Sequence, residues 1–232
     1  MTDANDPTEI FVSPEEHLAA YQGVRDRVGA LVVDADRDAP CPLTPLWSVG
    51  DTLAHLVGLT TDVVNGNIEG AASDAWTAAQ VDARRGHSIA ELLDEWRANA
   101  EAFDALLTAV PTTISGQVVA DAVTHEHDLR HALGECGAQD SDAIGIGSTW
   151  IAVTAAAAKS SISPAVRMIV GDREFVWGSG DAPTTLRLRA FELARIAAGR
   201  RSEAQMLAAG FPSIAHALGA PIFRPATFDV VE

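Results

Sequence analysis

Asp121-Ala-Val-Thr-His125 sets a carboxylate and an imidazole four residues apart, and Asp51-Thr-Leu-Ala-His55 supplies another imidazole upstream. On a helix, residues four apart stack on one face. Two such helices facing a common bundle core would bring His55, Asp121 and His125 together as three ligands to a divalent cation, with one position left open. An open position is what metal catalysis needs, because a substrate or a thiol can enter it.

The elements that must position these groups can be read from caps and periodicity. Ser13-Pro-Glu-Glu is a helix start, and the helix is expected to run to about Asp36. Pro40, Pro42 and Pro45 then force an irregular connection. Ser48 with Asp51 opens a second helix that carries His55 and fades near Asn65-Gly66. Ser88 caps a third, through about Ala109, with the stripe Ile89, Leu92, Leu93, Trp96, Phe103, Leu106 and Leu107. The next runs from about Thr113 to Leu133 and stops at Gly134. A further apolar helix is expected over Ile144 to Ser160.

After Pro164 the texture changes. Val166 to Val170 and Glu174 to Trp177 flank Gly171-Asp172 as a β-hairpin. Leu186 to Ala198 reads as helical, a short helix follows, and Thr227 to Val231 reads as a last strand. The predicted class is α+β: a mainly helical bundle over 12–162, then a small α+β domain over 163–232.

Bland readings compete with the metal at each residue. A lone His55 could be a core histidine, and Asp121 with His125 could be a buried hydrogen-bonded pair. His125 falls on the stripe Ile114, Val118, Ala122, Leu129 and Leu133, however, with Asp121 beside it, while His55 lies at the edge of the face formed by Val49, Leu53, Leu56 and Val63. Such groups are costly to bury unless paired or bound to a cation, so the three together favour metal. Asp128, one turn beyond His125, could orient a ligand imidazole from outside; the alternative is a solvated carboxylate. His127 and His131 also have ligand spacing but face away from His125. Glu126 and Arg130 read as a surface ion pair, and His17 and His87 as exposed residues at helix starts.

Composition excludes several classes. With 32 acids against 16 bases, the net charge of −16 offers no cationic field for nucleic acid. Cys41 and Cys136 form no CxxC, so a reducing compartment is expected, and neither lies near a histidine that would activate it. Met1 to Glu9 is acidic without an apolar core, and the apolar run Trp150 to Ala158 is too short to span a bilayer. A cytoplasmic protein is expected, without nucleic-acid or membrane partners, as a monomer or homodimer.

Trp47-Ser-Val-Gly-Asp51-Thr-Leu-Ala-His55-Leu resembles the W-x-x-x-D-x-x-x-H-L signature of the DinB-like, mycothiol-dependent maleylpyruvate isomerase family. Asp121-Ala-Val-Thr-His125-Glu-His-Asp128-Leu-Arg is similar to its [DE]-x-x-x-H-x-x-D-[LI]-R signature, and Gly199-Arg-Arg-Ser202 with Gln205 to its C-terminal segment. The resemblance implies a DinB-like four-helix bundle followed by a small α+β domain. It also implies a divalent metal, zinc in first place, held by His55, Asp121 and His125, and mycothiol as thiol cosubstrate. Asp121 stands where the isomerase commonly has Glu, one methylene longer. Arg200 and Arg201 could hold a substrate carboxylate, the alternative being a solvated basic turn. The expected function is therefore a mycothiol-using isomerase or thiol S-transferase acting on a small electrophile. A non-catalytic metal or ligand binder, and a metal-dependent hydrolase, are the competing readings.

Overall fold

The computed structural model describes residues 12–158, 162–213, 216 and 224–232. Met1 to Glu9 and the expected end of the helix at Ser160 lie outside them. The fold is α+β.

Reciprocal caps start four of the described helices, three of them in the N-terminal half. Ser13 accepts from the Glu16 amide while the Glu16 carboxylate accepts from the Ser13 amide, opening α1 (Pro14–Val32). Ser48 and Asp51 do the same for α2 (Val49–Val64), and Ser88 and Glu91 for the fourth helix. Each box satisfies two amides that the first turn would leave without partners. Between these lies α3 (Asp74–Ala83), capped by Ser73 and unforeseen in the sequence. It buries only Gln80 and Val81, so it has no apolar stripe to betray it. Then follow α4 (Ile89–Ala109) and α5 (Thr112–Leu133). α5 ends at Gly134, whose φ of 70° is the left-handed turn that lets its amide bond back to the helix.

By contacts the chain forms two compact units. One comprises Ser13–Ser115 with His125–Gly137. It holds α1 to α4 and both ends of α5. Tyr21, Val24, Val28, Leu53, Val57, Leu92, Trp96 and Phe103 form its core, and Trp96 Nε1 donates to the Tyr21 hydroxyl at 3.2 Å. The expected stripes mostly hold, but Leu106 and Ile114 are exposed, at 39% and 49%. Glu126 is not on the surface: it is fully buried and accepts from both Arg27 and Arg130. His17 is likewise buried, bonded through Nδ1 to Ser115 at 2.7 Å.

The other unit, among its described residues, comprises Gly116–Thr124 and the segments from Ala138 onward. Here α6 (Asp142–Ala158) packs with a three-stranded sheet of order β2-β1-β3. The hairpin β1 (Val166–Val170) and β2 (Arg173–Trp177) is antiparallel as expected, with Val170 opposite Arg173. Contrary to expectation, Thr184–Arg187 is a strand, β3, parallel to β1 with Leu186 opposite Met168. α7 (Ala190–Ala197) is therefore shorter than the sequence pattern indicated, and α8 (Glu203–Ala208) follows. The expected strand over Thr227 to Val231 does not form. The Val230 amide and carbonyl are taken by the Gln205 side chain at 3.0 and 2.8 Å, and only Ala226 bridges, to Ser202. Ala152, Met168, Trp177, Leu193, Ile196 and Met206 make this unit's core.

Candidate metal centre

Helix periodicity sets the site. α2 turns Val49, Leu53 and Leu56 inward, and His55 is carried in with them at 4% exposure, rather than lying at the edge of that face. On α5, Asp121 and His125 stand one turn apart. His55, Asp121 and His125 each offer one ligand atom, and these atoms all lie within 4.8 Å of one another. The two imidazoles meet edge to face, with ring centroids 5.1 Å apart.

Trp47 sits against both rings, its centroid 5.3 Å from His55 and 5.6 Å from His125. It forms an apolar wall for the pair. Nothing in hydrophobic patterning singled it out, since it lies in the proline-rich connection; only its place at the head of the signature could have done so.

Outer partners tether both rings. His125 Nδ1 is 3.2 Å from Asp128 Oδ2, and Asp128 is completely buried, so it is an orienting acceptor and not a solvated carboxylate. A carboxylate accepts only, so the His125 proton must sit on Nδ1. His55 Nδ1 lies 2.8 Å from Gln80 Oε1 of α3. Cys41 is buried nearby, its thiol 3.6 Å from the Asp128 carbonyl, and burial pushes that thiol up in pKa. It is thus a packed thiol and not a nucleophile.

Two imidazole nitrogens and a carboxylate oxygen are a donor set that suits zinc and related divalent ions. Tethered Nδ1 atoms are the usual arrangement around metal-ligating histidines. The residues present therefore fit such an ion. His127 is buried and His131 half-buried, and neither joins the cluster.

The C-terminal arginines have their own surroundings. Arg201 donates to Glu192 at 2.9 and 3.0 Å and to Glu232 at 2.6 Å, and Arg195 donates to Glu232 as well. Burial would lower the Arg201 pKa, but the bonds to Glu192 and Glu232 prevail and raise it. Arg200 is also buried and donates to the Ala198 carbonyl.

No helix among the described residues is long and apolar enough to cross a membrane. No curated protein is significantly similar to the chain in sequence. Two solved structures share its fold. One is a mycothiol-dependent maleylpyruvate isomerase, with TM-score 0.54 and 12% identity over 86% of this chain and 92% of that one. The other is a histidine-to-alanine mutant of a mycothiol-dependent maleylpyruvate isomerase, with TM-score 0.53, also 12% identical over the same shares. The family model described as the mycothiol maleylpyruvate isomerase N-terminal domain matches residues 17–143, more than half of the 232, and the chain belongs to that family.

Proposed function

We propose that the chain is a metal-dependent enzyme that uses mycothiol to isomerise a small electrophile or to transfer the thiol onto it. Family membership supports the thiol and the isomerase chemistry. The observation that carries the metal is the convergence of two buried imidazoles and a carboxylate, with both Nδ1 atoms already engaged. His55 and His125 would hold the ion through nitrogen and Asp121 through oxygen. When bound, such an ion would supply the positive charge that lowers the pKa of a thiol cosubstrate towards neutrality.

The chain's own residues do the remaining work. Asp128 and Gln80 fix the two ring orientations, and Trp47 keeps water from one side of them. Because a cosubstrate thiol supplies the nucleophile, Cys41 can stay packed and protonated. Arg200 and Arg201 are the side chains this reading assigns to a substrate carboxylate, with Arg201 already oriented by Glu192 and Glu232. In this reading residues 12–162 carry the metal and 163–232 form the smaller domain.

The test is to assay zinc-loaded protein against a panel of electrophiles with and without mycothiol. Turnover that needs both zinc and thiol, and that disappears in His55→Ala, is expected. Turnover without thiol would mean hydrolysis, and saturable ligand binding without turnover would mean a binding protein; either result sinks the proposal.

A further inference from the structure

Gln80 is buried at 2% exposure on α3, the helix that showed no apolar stripe. Its amide spans two groups. Oε1 lies 2.8 Å from His55 Nδ1, and Nε2 donates to Asp62 Oδ2 at 2.8 Å. The Asp62 carboxylate accepts only, so the amide NH2 must face it and the amide oxygen must face His55. His55 Nδ1 is therefore the donor, and the neutral ring carries its lone pair on Nε2. The other Asp62 oxygen accepts from Asn67 Nδ2 at 2.9 Å, which holds the carboxylate in place.

The backbone is shaped to admit this amide. Gly58 lies one turn after His55 on α2, and a Cβ there would come within 2.5 Å of Gln80 Cβ and 2.8 Å of its Cγ. Both observations, the polar relay and the missing Cβ, concern the same side chain.

We infer that Gln80, anchored by Asp62 and accommodated by Gly58, is a positioning residue for the cation site: it fixes the ring orientation and tautomer with which His55 presents Nε2. This rests on the metal reading proposed above. The chain Asp62–Gln80–His55 extends, by one amide, the carboxylate–histidine arrangement that holds ligand imidazoles elsewhere. The same task is done for His125 directly by Asp128.

The experiment compares the unsubstituted protein with Gln80→Leu, Asp62→Ala and the paired exchange Gln80→Glu with Asp62→Asn. Cobalt(II) titration followed by its visible absorption reads affinity and ligand geometry. Nitrogen-15 imidazole spectra of the metal-free protein read the His55 tautomer. Gln80→Leu should weaken cobalt binding roughly 10–100-fold and lose the Nδ1–H tautomer. Asp62→Ala releases the amide from a half-buried position, so it tests the same point without disturbing the core. The paired exchange keeps an acceptor for His55 and reverses the second bond, the amide introduced at position 62 donating to the carboxylate introduced at position 80; it should recover most of the affinity, which a merely structural loss would not. Unchanged affinity and absorption in both single variants, or a His55 proton found on Nε2, would overturn the inference alone. No cobalt binding by the unsubstituted protein would overturn the metal reading and the inference with it.

Discussion

Replacing Gly58 by alanine sets two effects of known sign against each other. In a helix interior, glycine to alanine is favourable by about 1 kcal/mol. At Gly58, however, the new Cβ would meet Gln80 Cβ at 2.5 Å, Gln80 Cγ at 2.8 Å and Arg84 Nη1 at 2.9 Å. The Arg84 guanidinium is held by Glu95 and the Gln80 carbonyl, and Gln80 Cβ is fixed to the α3 backbone, so α3 itself must shift. Overpacking of this kind costs about 1–3 kcal/mol, and a contact to an immovable atom belongs at the upper end. The net expectation is a loss of about 1–2 kcal/mol, or a melting temperature lower by about 2–8 °C in a chain of this size. Gly145 provides the opposite case, since a Cβ there meets nothing within 4 Å. Gly145→Ala in α6 should raise stability by about 0.5–1 kcal/mol. Thermal unfolding of both variants, with a metal titration of Gly58→Ala, checks the pair. Gly58→Ala should also bind metal more weakly, because it displaces the amide that orients His55. A Gly58→Ala protein as stable as the unsubstituted one, with unchanged metal affinity, would show that the close approach of α2 and α3 does not matter.

Three further outcomes are expected. Glu126→Ala removes the buried carboxylate shared by Arg27 and Arg130, which lie 2.7 and 3.0 Å away, and should cost about 3 kcal/mol in urea unfolding. A loss under 1 kcal/mol would return that pair to the status of a surface contact. Burial depresses the His17 pKa below its ordinary 6.5, against a small opposing effect of Glu16, so the unfolded chain binds a proton that the folded one resists. The stability from His17 is thus present above that value and lost as pH falls below it; melts from pH 8 to 5 should fall less steeply in His17→Gln, and parallel curves would refute this. Asp128→Asn keeps the shape but weakens the hold on His125 Nδ1, and should reduce zinc affinity by about tenfold by competition with a chelator.

Periodicity and caps made most of the helical part legible. Ser13, Ser48 and Ser88 each announced a helix, Ser13 and Ser48 with acids in the turn that follows, and a reciprocal box is present at all three. The spacing of Asp121 and His125 placed both on one helix, and their meeting with His55 followed from two inward faces. What stayed hidden was set by long-range partners. α3 has no stripe, so neither the helix nor Gln80 could be read. Glu126 looked solvated because Arg130 is its local partner; the burial comes with Arg27, 99 residues away. Thr184–Arg187 became a strand because β1 offered a free edge, and Thr227 to Val231 did not because Gln205 occupied the Val230 amide and carbonyl.

The most direct measurement is X-ray diffraction from zinc-soaked crystals, recorded on either side of the zinc absorption edge. The expected result is one anomalous peak in contact with His55, Asp121 and His125, at roughly 2.0–2.2 Å from a ring nitrogen of each histidine and a carboxylate oxygen. A peak bound elsewhere, or none while the three side chains keep ordinary hydrogen bonds, would contradict it.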